Sequence, residues 1–184
     1  MDCKSTISTT LILEAIEHYT TLGYTLIDVP QCVDFDVSQH TKPEGVPELF
    51  HQGMKVYVAS AEQSFIQLHK EGKLSDGKYM ALTPCYRNEN ILDDTHYTVF
   101  LKLELIVVGK AESYKVMHDC LGFFKPRTQQ ESYFICTDEG IDTYDIICED
   151  VEVGSYGVRK MLDGTVYTYG TGIAEPRFSG LTYR

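Results

Sequence analysis

Basic residues are scarce in this sequence. Its 184 residues carry 16 lysines and arginines against 27 aspartates and glutamates, a formal charge of −11 at pH 7. A protein that grips duplex or tRNA through phosphates offers a basic face, and this balance leaves little material for one. Non-specific nucleic-acid binding is therefore disfavoured. No apolar run approaches the ~20 residues of a membrane span. The opening MDCKSTISTT has neither the basic nor the apolar region of a secretory signal. Both absences point to a cytoplasmic protein. The six cysteines, Cys3, Cys32, Cys85, Cys120, Cys136 and Cys148, lie far apart with no C-x-x-C pair. That pattern argues against a zinc site and against a secreted disulfide framework, leaving reduced, mostly buried thiols. No low-complexity tract, internal repeat or linker divides the chain, so residues 1–184 are expected to form one domain.

What is present suffices for a packed core, with 43% hydrophobic and 11% aromatic residues. Leu11, Ile12, Ala15, Ile16, Tyr19 and Leu22 recur at three and four, predicting an amphipathic helix over 11–22 that Gly23 ends in a left-handed cap. Residues 24–29 read as a strand stopped by Pro30. Residues 31–54, with Pro43 and Pro47, read as a loop or lid. A helix follows over 60–71, with Ser60 and Gln63 in capping-box spacing. Strands over 79–86 and 97–108 form a central hairpin. Its second arm alternates Val99, Leu101, Leu103, Leu105 and Val107 against Phe100, Lys102 and Glu104. A helix over 111–124 packs Tyr114, Met117, Leu121 and Phe124 on one face, and strands over 132–136, 144–153 and 165–169 complete the chain. Hairpin-like strands with few crossovers point to an α/β (α+β) fold, a mainly antiparallel sheet flanked by helices.

The residues that carry chemistry fall into two segments. PCYRNENILDDTHYTVFLKLEL places Arg87, Glu89, His96, Phe100 and Glu104 on the central hairpin. YTYGTGIAEPRFS reads as a strand entering a glycine turn and then a short helix, and it supplies Gly170, Gly172 and Arg177. Two cations, a stacking ring and small residues at a backbone crossing suit a nucleoside triphosphate. A third group, Glu152 and Ser155, puts a carboxylate and a hydroxyl three residues apart across a glycine, where they can share one hard cation. Solvated strand residues are the equal alternative for Asp150 and Glu152.

The spacing Arg-x-Glu, a loop, then His-x3-Phe-x3-Glu resembles motif 2 of class II aminoacyl-tRNA synthetases, and the glycine-to-arginine segment resembles their motif 3. The helix, glycine, strand and Pro30 near the start look like motif 1, through which members of that class dimerise. The resemblance spans Leu11 to Arg177. It implies a class II catalytic core that uses ATP and Mg2+. Arg87 would hold the α-phosphate and the acyl carboxylate, Glu89 would read the adenine amino group, and Phe100 would stack on the base. His96 would touch the outer phosphates, Arg177 would clamp the γ-phosphate, and Gly170 and Gly172 would let the backbone pass beneath the adenosine. Glu152, with Ser155, would ligate magnesium. Ser60 and Glu62 resemble the short Thr-x-Glu loop that holds a substrate α-amino group, although a serine N-cap with a first-turn glutamate is as good a reading.

The runs EVGSYGVR and GTGIAEPR also look like ammonia-dependent asparagine synthetase, a class II relative. Ala174 stands where many motif 3 sequences carry a further glycine, and Pro176 immediately precedes Arg177. The function implied is that of an ATP-dependent ligase, the activation of a small carboxylate, foremost an amino acid, as its adenylate. The alternatives are an amide ligase of the asparagine-synthetase kind and a non-catalytic paralogue that binds a nucleotide, an amino acid or a protein partner. The expected assembly is a homodimer, with no room for an anticodon-binding domain. The net charge and the loop residues Asp93 and Asp94 disfavour tRNA binding.

Overall fold

A computed structural model describes residues 6–42, 47–88, 96–128, 134–140 and 142–182, the side chains of 52 and 134–140 excepted. Helix α1 (Thr9–Thr21) starts where the Ser8 hydroxyl accepts the Leu11 amide, and it buries Leu11, Ile12, Ala15 and Tyr19. Gly23, at φ 86°, reverses the chain into strand β1 (Thr25–Leu26). The strand expected over 24–29 is thus reduced to two paired residues. The segment 31–54, expected as a loop, holds strand β2 (Cys32–Asp34) and helix α2 (Phe35–Thr41). Non-local contacts explain the difference: β2 pairs with β3 (Lys55–Tyr57), and the Gln63 side-chain amide donates to the Ser38 carbonyl at 3.2 Å. Local sequence carries neither signal.

Helix α3 (Ala61–Lys70) follows, then β4 (Gly77–Tyr86), β5 (Val99–Val108) and α4 (Ser113–Phe124). The remaining strands are β6 (Phe134–Gly140), β7 (Thr143–Cys148), β8 (Val151–Lys160) and β9 (Val166–Glu175), and the short α5 (Ser179–Thr182) ends the chain. The strand expected over 144–153 is in fact two. Glu149 and Asp150 both adopt positive φ, 49° and 64°, and close a two-residue hairpin between β7 and β8. Paired positive-φ residues match the right-handed strand twist, and glutamate at such a site gives little warning of a turn. The expected glycine turn is also absent. Gly170 and Gly172 lie inside β9, which runs to Glu175 with β5 on one side and β8 on the other.

Seven strands form one sheet in the order β1-β4-β5-β9-β8-β7-β6, antiparallel except where β1 meets β4. Strand alternation divides the core into two layers. Leu103, Leu105 and Val107 face α1 and α4, against Tyr19, Met117, Cys120 and Phe124. Ile106 and Val108 face the other way, against Phe65 and Ile66 of α3. Toward the hairpin tip that second face leaves Lys102 and Glu104 to line a cavity. Among the described residues no helix is long and apolar enough to cross a membrane.

Candidate functional site

A cavity of about 460 Å³ lies on this second face, bounded by the start of α3, the α2–β3 segment and strands β4, β5, β8 and β9. Of the residues singled out in the sequence, Ser60, Glu62, Arg87, Glu104 and Ser155 line it. Arg87 follows directly after β4, and its backbone amide donates to the Thr98 carbonyl across the hairpin. Its Nε donates to the Ala59 carbonyl at 3.4 Å, and its guanidinium lies 5.0 Å above the Phe100 ring. Phe100 is itself packed against Cys85 and Ala174. A guanidinium shelved on an aromatic face keeps its orientation at little entropic cost.

Glu104 sits two residues along the same face from Lys102, and its carboxylate is almost fully buried. Oε2 accepts from the Ser60 hydroxyl and from Lys102 Nζ at 2.8 Å. Oε1 is buried and has no partner among the described residues. A buried carboxylate oxygen without a donor is costly, so this atom calls for a hydrogen-bond donor, whether a water or a ligand group. Ser60 is also the N-cap of α3, accepting the Glu62 amide at 3.3 Å, so the helix cap and the cavity floor share one hydroxyl.

Glu62, by contrast, is satisfied within the protein. Arg159 Nη1 donates to both of its oxygens, at 3.0 and 2.8 Å, and the Tyr167 hydroxyl donates at 2.8 Å. Burial pushes the Glu62 carboxyl above its ordinary range, and the Arg159 charge offsets only part of that rise. Arg159 also lies 4.3 Å over the Tyr169 ring. The cavity's ion pairs are Lys42 with Glu48, Lys102 with Glu104, and Arg159 with Glu62. Arg87 is the lining cation left without a carboxylate among the described residues.

The other candidates lie outside the lining. Arg177 Nη1 donates to the Glu152 carbonyl at 3.2 Å and lies 3.9 Å from Glu152 Oε1, so the two residues assigned to the triphosphate and the metal are neighbours. A register shift between β7 and β8 turns both Val153 and Gly154 toward the helix layer. Glu152 and Ser155 consequently share the opposite face of β8. His96 is exposed, ahead of β5. A Cβ on Gly170 would meet Tyr156 and Val116, and one on Gly172 would meet Tyr19 and the Leu103 carbonyl, so both bare positions face the α1–α4 layer. Glu89, Asp93 and Asp94 lie outside the described residues. No three His, Cys, Asp or Glu side chains converge on a metal position among the described residues.

Sequence reading placed Glu104 and Lys102 on the hairpin without assigning them roles, and it assigned none to Tyr167 or Tyr169. The alternation along β5 sets Phe100, Lys102 and Glu104 on one face, and that pattern was the available signal. Arg159 is legible in the sequence only as a member, with Arg87 and Arg177, of a basic cluster that could take a small anion; its tie to Glu62 spans 97 positions and has no local signal.

No family model matches the chain. No curated protein matches it either. Solved structures do. Two structures of pyrrolysyl-tRNA synthetase from Desulfitobacterium hafniense superpose with TM-scores of 0.68 and 0.70 at 15% and 16% identity, covering 90% and 92% of this chain. Seryl-tRNA synthetase from Pyrococcus horikoshii, solved in complex with ATP, superposes with a TM-score of 0.75 at 18% identity over 93% of this chain. The chain spans 65% and 67% of the pyrrolysyl structures and 49% of the seryl structure. These neighbours lend nothing to the asparagine-synthetase likeness. The mixed sheet-and-helix architecture is that of the class II aminoacyl-tRNA synthetase catalytic core.

Proposed function

We propose that the cavity binds ATP and an amino acid and joins them as an aminoacyl adenylate. The observation that carries this reading is the pairing of Arg87, a cation with no carboxylate of its own, with Glu104, a buried carboxylate holding one unmet oxygen. A zwitterion satisfies both, its carboxylate toward Arg87 and its ammonium toward Glu104 Oε1. In the adenylation step a substrate carboxylate oxygen attacks the α-phosphorus of ATP in line. The new C–O–P linkage forms as the bond to the β-phosphate oxygen breaks, and pyrophosphate leaves with that electron pair. No protein nucleophile is needed. Arg87 offsets charge on the α-phosphoryl oxygens, and Arg177 stands with the departing phosphates.

Glu152 and Ser155 fit magnesium by donor type, two hard oxygens on one strand face with room left for phosphate oxygens and water. Bound there, the ion would supply charge neutralisation along the triphosphate. The test is pyrophosphate exchange into ATP, run with each amino acid in turn. One amino acid should support exchange, and Arg87→Ala should lower the rate by about a hundredfold or more, as loss of a transition-state charge contact does. A panel with no exchange, or an Arg87→Ala variant as active as the parent, rejects the proposal.

A further inference from the structure

Glu175 ends β9 as a buried carboxylate, 0% exposed, that stands outside the cavity lining and has no place in the adenylation step. Both of its oxygens are taken by backbone amides, Oε1 by Ser179 and Oε2 by Ser8, each at 3.1 Å. It has no cationic partner among the described residues. Burial accordingly pushes the carboxyl above its ordinary range, and the bonds from Ser179 and Ser8 offset part of that rise. A buried charge without a counter-ion is a costly way to close a turn. What a carboxylate offers in return is two equivalent acceptors on one carbon, one for each of two chain segments.

One segment is the loop after β9 that carries Arg177. The Phe178 amide donates to the Ala174 carbonyl at 3.0 Å, the Gly180 amide donates to the Pro176 carbonyl at 3.1 Å, and the bond from Ser179 to Glu175 closes the loop around Arg177. Phe178 packs inward against Phe123 and Phe124, while Arg177 reaches across to Glu152 of β8. The other segment is the start of α1, 167 positions earlier. Ser8 caps that helix with its hydroxyl and gives its own amide to Glu175, and the Ser179 hydroxyl donates to the Thr6 carbonyl at 2.8 Å.

We propose that Glu175 is a positioning residue for Arg177, fixing the loop that presents the guanidinium to the outer phosphates of ATP. The inference rests on the nucleotide reading above and adds the group that sets the phosphate contact. An arginine on an untethered loop must be ordered when the ligand arrives, whereas one on a pinned loop is ordered beforehand.

Calorimetric titration of the full chain with ATP and with AMP, both with magnesium, tests the proposal on the parent, Glu175→Gln, Arg177→Ala and the double variant. The carboxamide keeps one acceptor and turns its NH2 against the other amide, so one of the two bonds is lost. Glu175→Gln should weaken ATP binding by about tenfold, the equivalent of one hydrogen bond, and leave AMP within about twofold, because AMP lacks the outer phosphates. A general loss of structure moves both nucleotides alike. In the Arg177→Ala background Glu175→Gln should cost nothing further, as expected of a residue that acts through another. Should Glu175→Gln fail to fold, amide hydrogen exchange on the parent decides: ATP, and not AMP, should slow exchange at the Ser8 amide. Equal losses for ATP and AMP, an unchanged ATP affinity in Glu175→Gln, an added loss in the Arg177→Ala background, or Ser8 exchange that ATP leaves unaltered overturns the proposal. A parent that binds neither nucleotide, or an Arg177→Ala variant that binds ATP like the parent, rejects the nucleotide reading of Arg177 and the positioning with it. ATP binding lost in Arg177→Ala and kept in Glu175→Gln rejects the positioning alone.

Discussion

Replacing Gly170 with alanine would set a methyl carbon 2.8 Å from both Val116 Cγ1 and Tyr156 Cδ1. Neither neighbour has room to retreat. Tyr156 and Val116 are buried, and the Tyr156 hydroxyl is tied to the Thr171 carbonyl at 2.9 Å. Overpacking of this kind costs typically about 1–3 kcal/mol. Alanine's lower chain entropy in the unfolded state returns up to about 1 kcal/mol, leaving a net loss of roughly 0–3 kcal/mol with about 1–2 kcal/mol at the middle of that range. For a chain of this length each kcal/mol moves the midpoint by about 2–4 °C, so the melting temperature should fall by roughly 2–8 °C. Gly122 supplies the internal control. It is an α4 glycine with nothing within 4 Å of its missing Cβ, so Gly122→Ala should stabilise by about 0.5–1 kcal/mol through helix propensity. Thermal and urea unfolding of the two variants beside the parent measures both signs. A Gly170→Ala protein that melts at or above the parent would refute the claim that this glycine is required by contact with the helix layer.

Four further outcomes are expected. Hydrogen bonds from Lys55, Gln67 and Lys70 hold the Asp34 carboxyl down at about 2, so its contribution is present above its unfolded value and is lost as pH falls toward 2. Asp34→Asn should flatten that acid limb in urea titrations across pH. Burial raises the thiols of Cys85, Cys120 and Cys148 to about 11, 12 and 11, so among the four described cysteines the partly exposed Cys32 should be alkylated first in the native protein, as peptide mapping would report. Leu13 of α1 and Leu26 of β1 expose 61% and 48% of their surface; a dimer formed through the α1–β1 segment should appear in light scattering and be disrupted by Leu13→Asp. With a net charge of −11, the chain should retain no bulk tRNA in filter binding at physiological salt.

How far the fold could be read in advance follows from the range of the signals. Helices α1, α3 and α4 declare themselves locally, because each has an apolar stripe, and α1 and α3 also have a serine cap, within one stretch of chain. The β4–β5 hairpin does so through alternation. Strand β2 and helix α2 do not, since what holds them is β3 and the side chains of Gln63 and Gln67, some 25 to 33 positions away. The β7–β8 turn was missed for another reason. Aspartate visits left-handed geometry, but the glutamate before it rarely does, so propensity gives only half a cue for the pair.

The site divides along the same line. Short motifs fix the spacing of Ser60, Glu62, Arg87, Glu104 and Ser155, and all five line one cavity. The local pattern of Ser60 and Glu62 is equally that of a helix start, and the structure gives both residues that duty as well: Ser60 caps α3, and Glu62 occupies its buried first turn. What no spacing conveys is which acid has a vacancy. Glu62 is the acid that the resemblance assigns to an amino group, yet Arg159 and Tyr167 occupy it, whereas Glu104, 42 residues further on, keeps an oxygen with no partner among the described residues. That exchange of roles depends on one pairing, Arg159 with Glu62, joining β8 to α3. The same pairing fixes the Arg159 guanidinium that lines the cavity. The polar groups this cavity leaves open are therefore set by which charges neutralise each other within the protein, and only the packed sheet decides that.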